Sequence, residues 1–395
     1  MRALDNIRVV DLSRVLAGPW ATQLLADFGA DVIKIERPGL GDDTRAWGPP
    51  WFTADNGQRE SAYFVSANRG KRSIAVDIAE PRGAELVATM ATEADVFVEN
   101  FKVGDLKRYG LDYATLAARN PRLVYCSISG FGQEGPYAAQ PGYDFIAQAM
   151  GGMMSLTGDP DGTPVKTGVA LVDVMTGLYA CNGILAALLQ RGRFGRGQHV
   201  TTCLLDVQIA SLANQASSYF AMHRNPQRMG NAHPSIVPYQ SFQTTDGLIA
   251  VAVGNDPQFR ALCQVLNLTP LAHDSRFATN TARVEHREAL ISLLQNEFMR
   301  DSTGRWVALL MAAGVPAGPV SKLSEVFADA HVVQRELRIT MPHTALGNVP
   351  GVACPVRLSN SPARTDRGPP ALNEHAEQIR RELHVNITAA SPDKL

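Results

Sequence analysis

The spacing of apolar residues changes period along the chain, and the changes predict its elements. Ile7 to Leu12 is a short β-branched run. Pro19 to Phe28 switches to helical spacing, with Leu24 and Leu25 set between Ala21 and Phe28, and Gly29 is placed to stop that helix. Asp31 to Glu36 returns to a strand pattern. Further on, Arg72 to Ile78 reads as a strand, Pro81 opens a helix running to about Thr92, and Asp95 to Glu99 reads as a strand. A helical stretch covers roughly Asp112 to Ala118, and Leu123 to Ile128 is another strand. Tyr143 to Met154 and Val172 to Leu189 read as helices whose Gly and Ala content predicts close packing. Gln198 to Leu205 reads as a strand leading into a helix through about Met222. Short strands alternating with helices predict βαβ units and a parallel sheet, hence an α/β fold.

Two stretches break the pattern. Residues 37–60 are rich in Pro, Gly and aromatic residues, including Trp47, Pro49, Pro50 and Trp51. That is a long loop, and long loops in compact domains tend to be functional or disordered. Residues 224–238 are polar. After them come short strands at Gln240 to Gln243 and Leu248 to Val253, separated by the turn dipeptide Asp246-Gly247. Helices follow at about 256–266, 283–300 and 302–313. This divides the chain into 1–224, a smaller domain at 225–325, and a tail at 326–395 that returns to mixed elements and ends in a helix at about 371–383. There is no internal repeat or heptad array.

Composition narrows the class. Of 395 residues, 45% are apolar and 19% charged, a globular balance that excludes whole-chain disorder. Lys plus Arg number 37 and Asp plus Glu 38, for a net charge of −1, with no basic block. Nucleic acid is therefore a poor partner. Cys126, Cys181, Cys203, Cys263 and Cys354 are odd in number, widely spaced and without a C-x-x-C pair. That disfavours a disulfide framework and a cysteine metal site, so no metal is expected. The first residues lack the apolar core of a signal peptide. The apolar run near Gly177 to Leu189 is broken by Asn182 and reads as too short to cross a bilayer. The expectation is a soluble cytoplasmic protein with no membrane partner.

The first strand–helix turn, Arg14-Val15-Leu16-Ala17-Gly18-Pro19, invites a dinucleotide reading, with Glu36 as the acid ending the second strand. Its single glycine lacks the G-x-G-x-x-G fingerprint. Walker A and H-E-x-x-H sequences are absent as well. A helix N-terminus at this turn still suits an anion. Arg37 follows the second strand, and Lys102 and Arg108 follow the strand ending at Glu99, where open α/β sheets gather ligands. Lys71 and Arg72 precede a strand and fit less well. Each cation taken singly also fits an ordinary surface charge. Asp173 stands in an almost wholly apolar stretch, Gly168 to Gly177, at a helix start. A carboxylate there is costly unless hydrogen-bonded or reactive. On spacing it reads first as an N-cap, a reading compatible with a carboxylate nucleophile or base held by helix amides. None of the nine histidines pairs with a carboxylate or cysteine at motif spacing.

Several segments together resemble the class III CoA-transferases, over nearly the whole chain. They are Val15-Leu16-Ala17-Gly18-Pro19, Gly29 to Pro38, Asn68-Arg69-Gly70-Lys71-Arg72-Ser73-Ile74, Val98-Glu99-Asn100-Phe101, Ser127 to Gln133 and Gly195-Arg196-Gly197-Gln198. The resemblance implies a large Rossmann-like domain built from both ends of the chain, a smaller inserted α+β domain, and an interlocked homodimer. It implies that Asp173 is the nucleophile. It places CoA along Leu16, Ala17, Arg37, Val76, Asp77, Ile78, Asn100, Phe101, Lys102, Arg108, Ser129, Gly130 and Phe131. The CoA thioester enters as substrate, with no permanently bound cofactor. Asp173 would relay the acyl group between an acyl-CoA and a free carboxylic acid through aspartyl anhydride and aspartyl–CoA thioester intermediates.

Racemases of this family carry histidine in a Gly-His-Asp sequence, where this chain has Gly142-Tyr143-Asp144. Tyrosine ordinarily titrates near 10 and is a poor partner for a two-base proton swap. An α-methylacyl-CoA racemase-like isomerase and a non-catalytic acyl-CoA binder are the alternatives. Oxalate-type members carry glutamine where this chain has Leu16 and lysine where it has Ser129. The stretches Gly41 to Pro50 and Ala232 to Gln240 are similar to succinyl-CoA:glutarate-type transferases. A dicarboxylate acceptor and succinyl-CoA donor follow, with Arg45 or His233 offered for the distal carboxylate. A loop-structural role fits each of these two residues as well.

Overall fold

In a computed structural model of the chain, residues 1–383 are described, so the end of the 326–395 tail lies outside the described residues. They form two compact units. The first takes in Met1–Met153, Lys166–Ser217 and the chain from Ala330 on; the second takes in Met154–Val165 and Ser218–Asp329.

The first unit is built on a six-stranded parallel sheet. Its strands are β1 (Arg8–Asp11), β2 (Asp31–Glu36), β3 (Arg72–Ala75), β4 (Val96–Glu99), β5 (Val124–Ser129) and β6 (His199–Cys203). They lie in the order β3-β2-β1-β4-β5-β6, every pair parallel. The order reverses direction between β1 and β4, the switch point at which such sheets take ligands.

Alternation within each strand explains why both faces are covered. Val9, Val32, Val98 and Val124 enter one apolar layer; their neighbours Val10, Ile33, Phe97 and Tyr125 enter the other. The first layer is closed by α1 (Ala17–Asp27) and the long α4 (Leu171–Phe194). The second is closed by α2 (Pro81–Glu93) and a C-terminal helix, Ala376–Glu382, which buries Ala376 and Ile379.

At 24 residues, α4 is longer than the apolar run suggested, and by length and composition alone it could cross a bilayer. Instead, Val172, Thr176, Gly177, Ala180, Ile184 and Ala187 form a buried stripe facing the sheet and α1. Gly177 is required there, because a Cβ would stand 2.7 Å from the carbonyl oxygen of Ala17.

Strand β3 lies at the edge of the sheet, and the tail covers it. Ser73 accepts the His375 amide at its carbonyl and the Asn373 amide at its hydroxyl. The Ala75 amide donates to Asn373 Oδ1 at 2.8 Å. β3 ends at Ala75, earlier than expected, and Val76 to Ile78 continue as irregular chain. The 37–60 stretch is structured too. It holds a 3₁₀ turn, Asp43–Ala46, and a hairpin of Trp51–Thr53 with Arg59–Ser61, followed by a helix, Ala62–Ala67.

The second unit carries an antiparallel sheet of β7 (Tyr239–Gln243), β8 (Leu248–Ala252) and β9 (Ala317–Pro319). Thr244 and Gly247 close the turn between β7 and β8. Helices Asp256–Val265, Asn280–Glu285, Arg287–Phe298 and Thr303–Ala312 supply Phe259, Leu262, Leu290, Leu294, Phe298 and Leu310 to a core with Phe242 and Ile249.

Candidate functional site

The switch point brings two chain turns together. After β1, Val15 stands at φ 70° and Leu16 is the N-cap of α1 without offering a side-chain acceptor. The first amides of α1 thus lack a side-chain cap, the usual setting for an anion. After β4, Asn100 grips the first turn: its Oδ1 accepts the Arg14 amide at 2.9 Å and its Nδ2 donates to the Arg14 carbonyl at 2.7 Å.

Two cavities open here. One, of about 250 Å³, is lined by Leu16, Ala17, Asn100, Phe101, Lys102, Ser129, Gly130 and Asp173 from the expected set. The other, of about 230 Å³, is lined by Arg37, Val76, Asp77 and Ile78, and again by Phe101. Arg14 borders both. The floor of the first depends on two glycines in near backbone contact. A Cβ on Gly142 would lie 2.3 Å from the Cα of Gly130.

Asp173 sits in the first turn of α4, two residues past its start, and the N-cap position is Ala170. The capping is done from elsewhere. Asp144, first residue of α3 (Asp144–Met150), accepts the Val172 amide at 2.8 Å and the Asp173 amide at 3.3 Å. Gln148 Nε2 donates to the other oxygen of Asp144 at 2.6 Å, while Gln148 Oε1 accepts the Thr167 amide. Among the described residues, the Asp173 carboxylate has no hydrogen-bond partner. Burial first, and then the Asp144 carboxylate, push it up to about 7 from its ordinary value of 3.8. Tyr63 lies in the same field: burial, then the charge of Asp173, push its phenol up to about 12. Trp47 from the 37–60 stretch packs edge-on against Tyr63, with ring centroids 5.1 Å apart.

Cations and carboxylates around the turn are interlocked. Asp43 bonds Arg37 and, at 3.2 Å, Arg14, which also stands over the Phe101 ring. Beneath lie two fully buried ion pairs, Lys34 with Asp42 at 2.8 Å and Lys71 with Asp11 at 3.0 Å. Arg72 bonds Asp31 and Glu382. Glu36, the acid of the dinucleotide reading, accepts from Arg45, Ser73 and the Asp42 amide, all internal partners.

Four expected residues stand outside the cavities. Arg45 is buried: its guanidinium donates to Glu36, Glu60 and the Pro370 carbonyl and lies 3.6 Å from the Phe64 ring centroid, so most of its donors are engaged within the protein. His233 belongs to the second unit, where its Nδ1 accepts the Ser235 amide. Arg108 rests on the ring of Tyr109, itself a wall of the second cavity. Phe131 packs against Tyr137. Conversely, Arg14, Asp43, Tyr109 and Tyr143 line the cavities without having been singled out for binding, and Asp144 was noticed only as part of the Gly-Tyr-Asp sequence. Arg14 was readable, since it is the cation nearest the end of β1. The others depend on long-range packing.

A family model described as CoA-transferase family III matches residues 4–376. A succinate–glutarate CoA-transferase of Agrobacterium fabrum is 48% identical over 390 residues, covering 98% of this chain and 98% of that protein. A succinyl-CoA:glutarate CoA-transferase of Mus musculus is 45% identical over 385 residues, covering 97% of this chain and 87% of that protein. The crystal structure of a CAIB/BAIF family protein from Brucella suis matches with a TM-score of 0.87 at 49% identity, covering 97% of this chain and 99% of that one.

Proposed function

The chain belongs to CoA-transferase family III, and we propose that it moves CoA from succinyl-CoA to a dicarboxylate, glutarate first, with Asp173 as covalent relay. The observation that carries this reading is the Asp173 carboxylate, without a hydrogen-bond partner among the described residues and opening on a cavity shared with the Leu16–Ala17 turn, Asn100 and Lys102. The names of the relatives at 48% and 45% identity support the acid pair.

CoA lies across both cavities, its anionic part near Arg14, Arg37 and Lys102 and its thioester toward Asp173. The carboxylate oxygen of Asp173 attacks the succinyl carbonyl carbon, the C–S bond breaks, and CoA leaves as thiolate. The thiolate attacks the aspartyl carbonyl of the mixed anhydride, which releases succinate and leaves an aspartyl–CoA thioester. Glutarate attacks that thioester and expels the thiolate again, giving a second anhydride. Thiolate attack on the glutaryl carbonyl then forms glutaryl-CoA and restores Asp173. No water or net proton is consumed. Division into small steps is the advantage of a covalent relay, and exclusion of water protects each intermediate. Racemisation by two bases is poorly served, because the other ionisable groups lining the Asp173 cavity are Arg14, Asp43, Lys102 and Tyr143.

The working form is an interlocked cytoplasmic homodimer. Phe145, Ile146 and Met150 on α3, and Leu178, Tyr179 and Leu189 on α4, are exposed, an apolar area that a second copy would cover.

Incubation with succinyl-CoA followed by peptide mass analysis tests the relay. A succinyl or CoA adduct on Asp173, lost in Asp173→Ala together with exchange, is the expected result. Full exchange by Asp173→Ala would sink the mechanism. A preference for monocarboxylates in a substrate panel would sink the choice of acid.

A further inference from the structure

A β-branched residue in the left-handed region is costly, because its branched Cβ crowds the backbone there. Val15 holds that conformation in the middle of the turn bordering both cavities, at φ 70°. Something must over-determine it. Asn100 fixes the preceding residue, Arg14. The Val15 amide itself lies between the two oxygens of Asp42, 3.3 Å from each.

Asp42 is in turn fixed from several sides. Its side chain is fully buried against Lys34, and it accepts the Thr44 amide at 2.9 Å and hydroxyl at 2.8 Å. Burial opposes its ionisation, yet the Lys34 charge and these hydrogen bonds hold the carboxyl down at about 2. Lys34 also donates from Nζ to the carbonyl of Ser13 at 2.9 Å. One buried ion pair therefore bonds the turn at two points, the Ser13 carbonyl and the Val15 amide, which bracket Arg14.

We infer that Lys34 and Asp42 are positioning residues for CoA: the pair holds Val15 left-handed, so that Arg14, Leu16 and the first amides of α1 face the ligand. A pair placed only for core stability would not need to reach the turn from both ends. This inference rests on the CoA-site reading above.

Calorimetric titration with CoA tests it. Asp42→Asn weakens CoA binding about tenfold, while kcat at saturating acyl-CoA falls less than KM rises. Glycine carries no penalty at positive φ, so the double variant D42N/V15G regains most of the lost affinity. Asp42→Asn leaves Lys34 buried without its partner, which can prevent folding. K34M/D42L, with both charges removed together, is then the background, and V15G is added to it in the same way. A dissociation constant for CoA within about twofold of the wild-type value in D42N or K34M/D42L, or no recovery on adding V15G, would overturn the inference. If wild-type protein does not bind CoA at all, the CoA-site reading itself fails, an outcome these variants cannot mimic.

Discussion

Asp173 is kept basic by where it stands. The helix start beside it would ordinarily stabilise a carboxylate and lower its pKa, but Asp144 already occupies the Val172 and Asp173 amides. As an attacking carboxylate it must be ionised, so exchange activity should fall as pH drops through about 7. A kcat/KM profile with its acidic limb near 4 would contradict this. The same shift acts on stability with the opposite benefit. The folded form holds its proton up to about 7 and the unfolded form releases it near 3.8, so the folded chain binds more protons between those values and loses stability as pH rises through them. Asp173→Asn should therefore abolish exchange yet stabilise the fold at pH 8, by on the order of 2 kcal/mol, and change little at pH 4. Urea denaturation at the two pH values checks it. The sequence left Asp173 open between cap and nucleophile because its capping partner lies 29 residues away, a distance no local pattern spans.

At the scale of elements, the apolar runs marked every strand of the parallel sheet, since both layers are apolar and the strands carry that signature. Local breaks were harder to read. The 143–154 helix stops at Gly151, the helix after β6 is interrupted before Ala213 at φ 44°, and the 283–300 helix divides at His286. β9 is only three residues long and shows no pattern of its own. The order of the strands, which creates the switch point, is a property of packing and was not visible in the periodicity. The junction of α3 and α4 supplies the test at this scale. Asp144→Ala removes the acceptor of two amides and should cost about 1–2 kcal/mol. Chemical denaturation measures it, and a loss below a few tenths would mean that the α4 start is held by other contacts.

For the whole molecule, a domain built from both chain ends was implied by the family resemblance; the first compact unit takes in Met1–Met153, Lys166–Ser217 and the chain from Ala330 on. The assignment of Met154–Val165 to the second unit had no signature, because the end of a short helix and a polar loop carry no record of their neighbours. The exposed apolar faces of α3 and α4 carry the prediction here. Light scattering at micromolar concentration should give twice the chain mass. Leu178→Glu and Leu189→Glu, which place charges on that face, should lower the mass or trap the chain in aggregates. A monodisperse, active wild-type monomer would refute the dimer.

The covering of β3 by the tail has a consequence for biosynthesis. All six strands of the parallel sheet have been synthesised once Cys203 is made, but Asn373 follows only about 170 residues later. At bacterial-to-eukaryotic elongation rates, that interval is on the order of ten to thirty seconds. Throughout it, the nascent sheet presents an uncapped edge, the kind of surface that recruits foreign strands. Truncations lacking the 367–383 segment should therefore fail by association during translation, and a chaperone holding the emerging chain would act on this edge before any other.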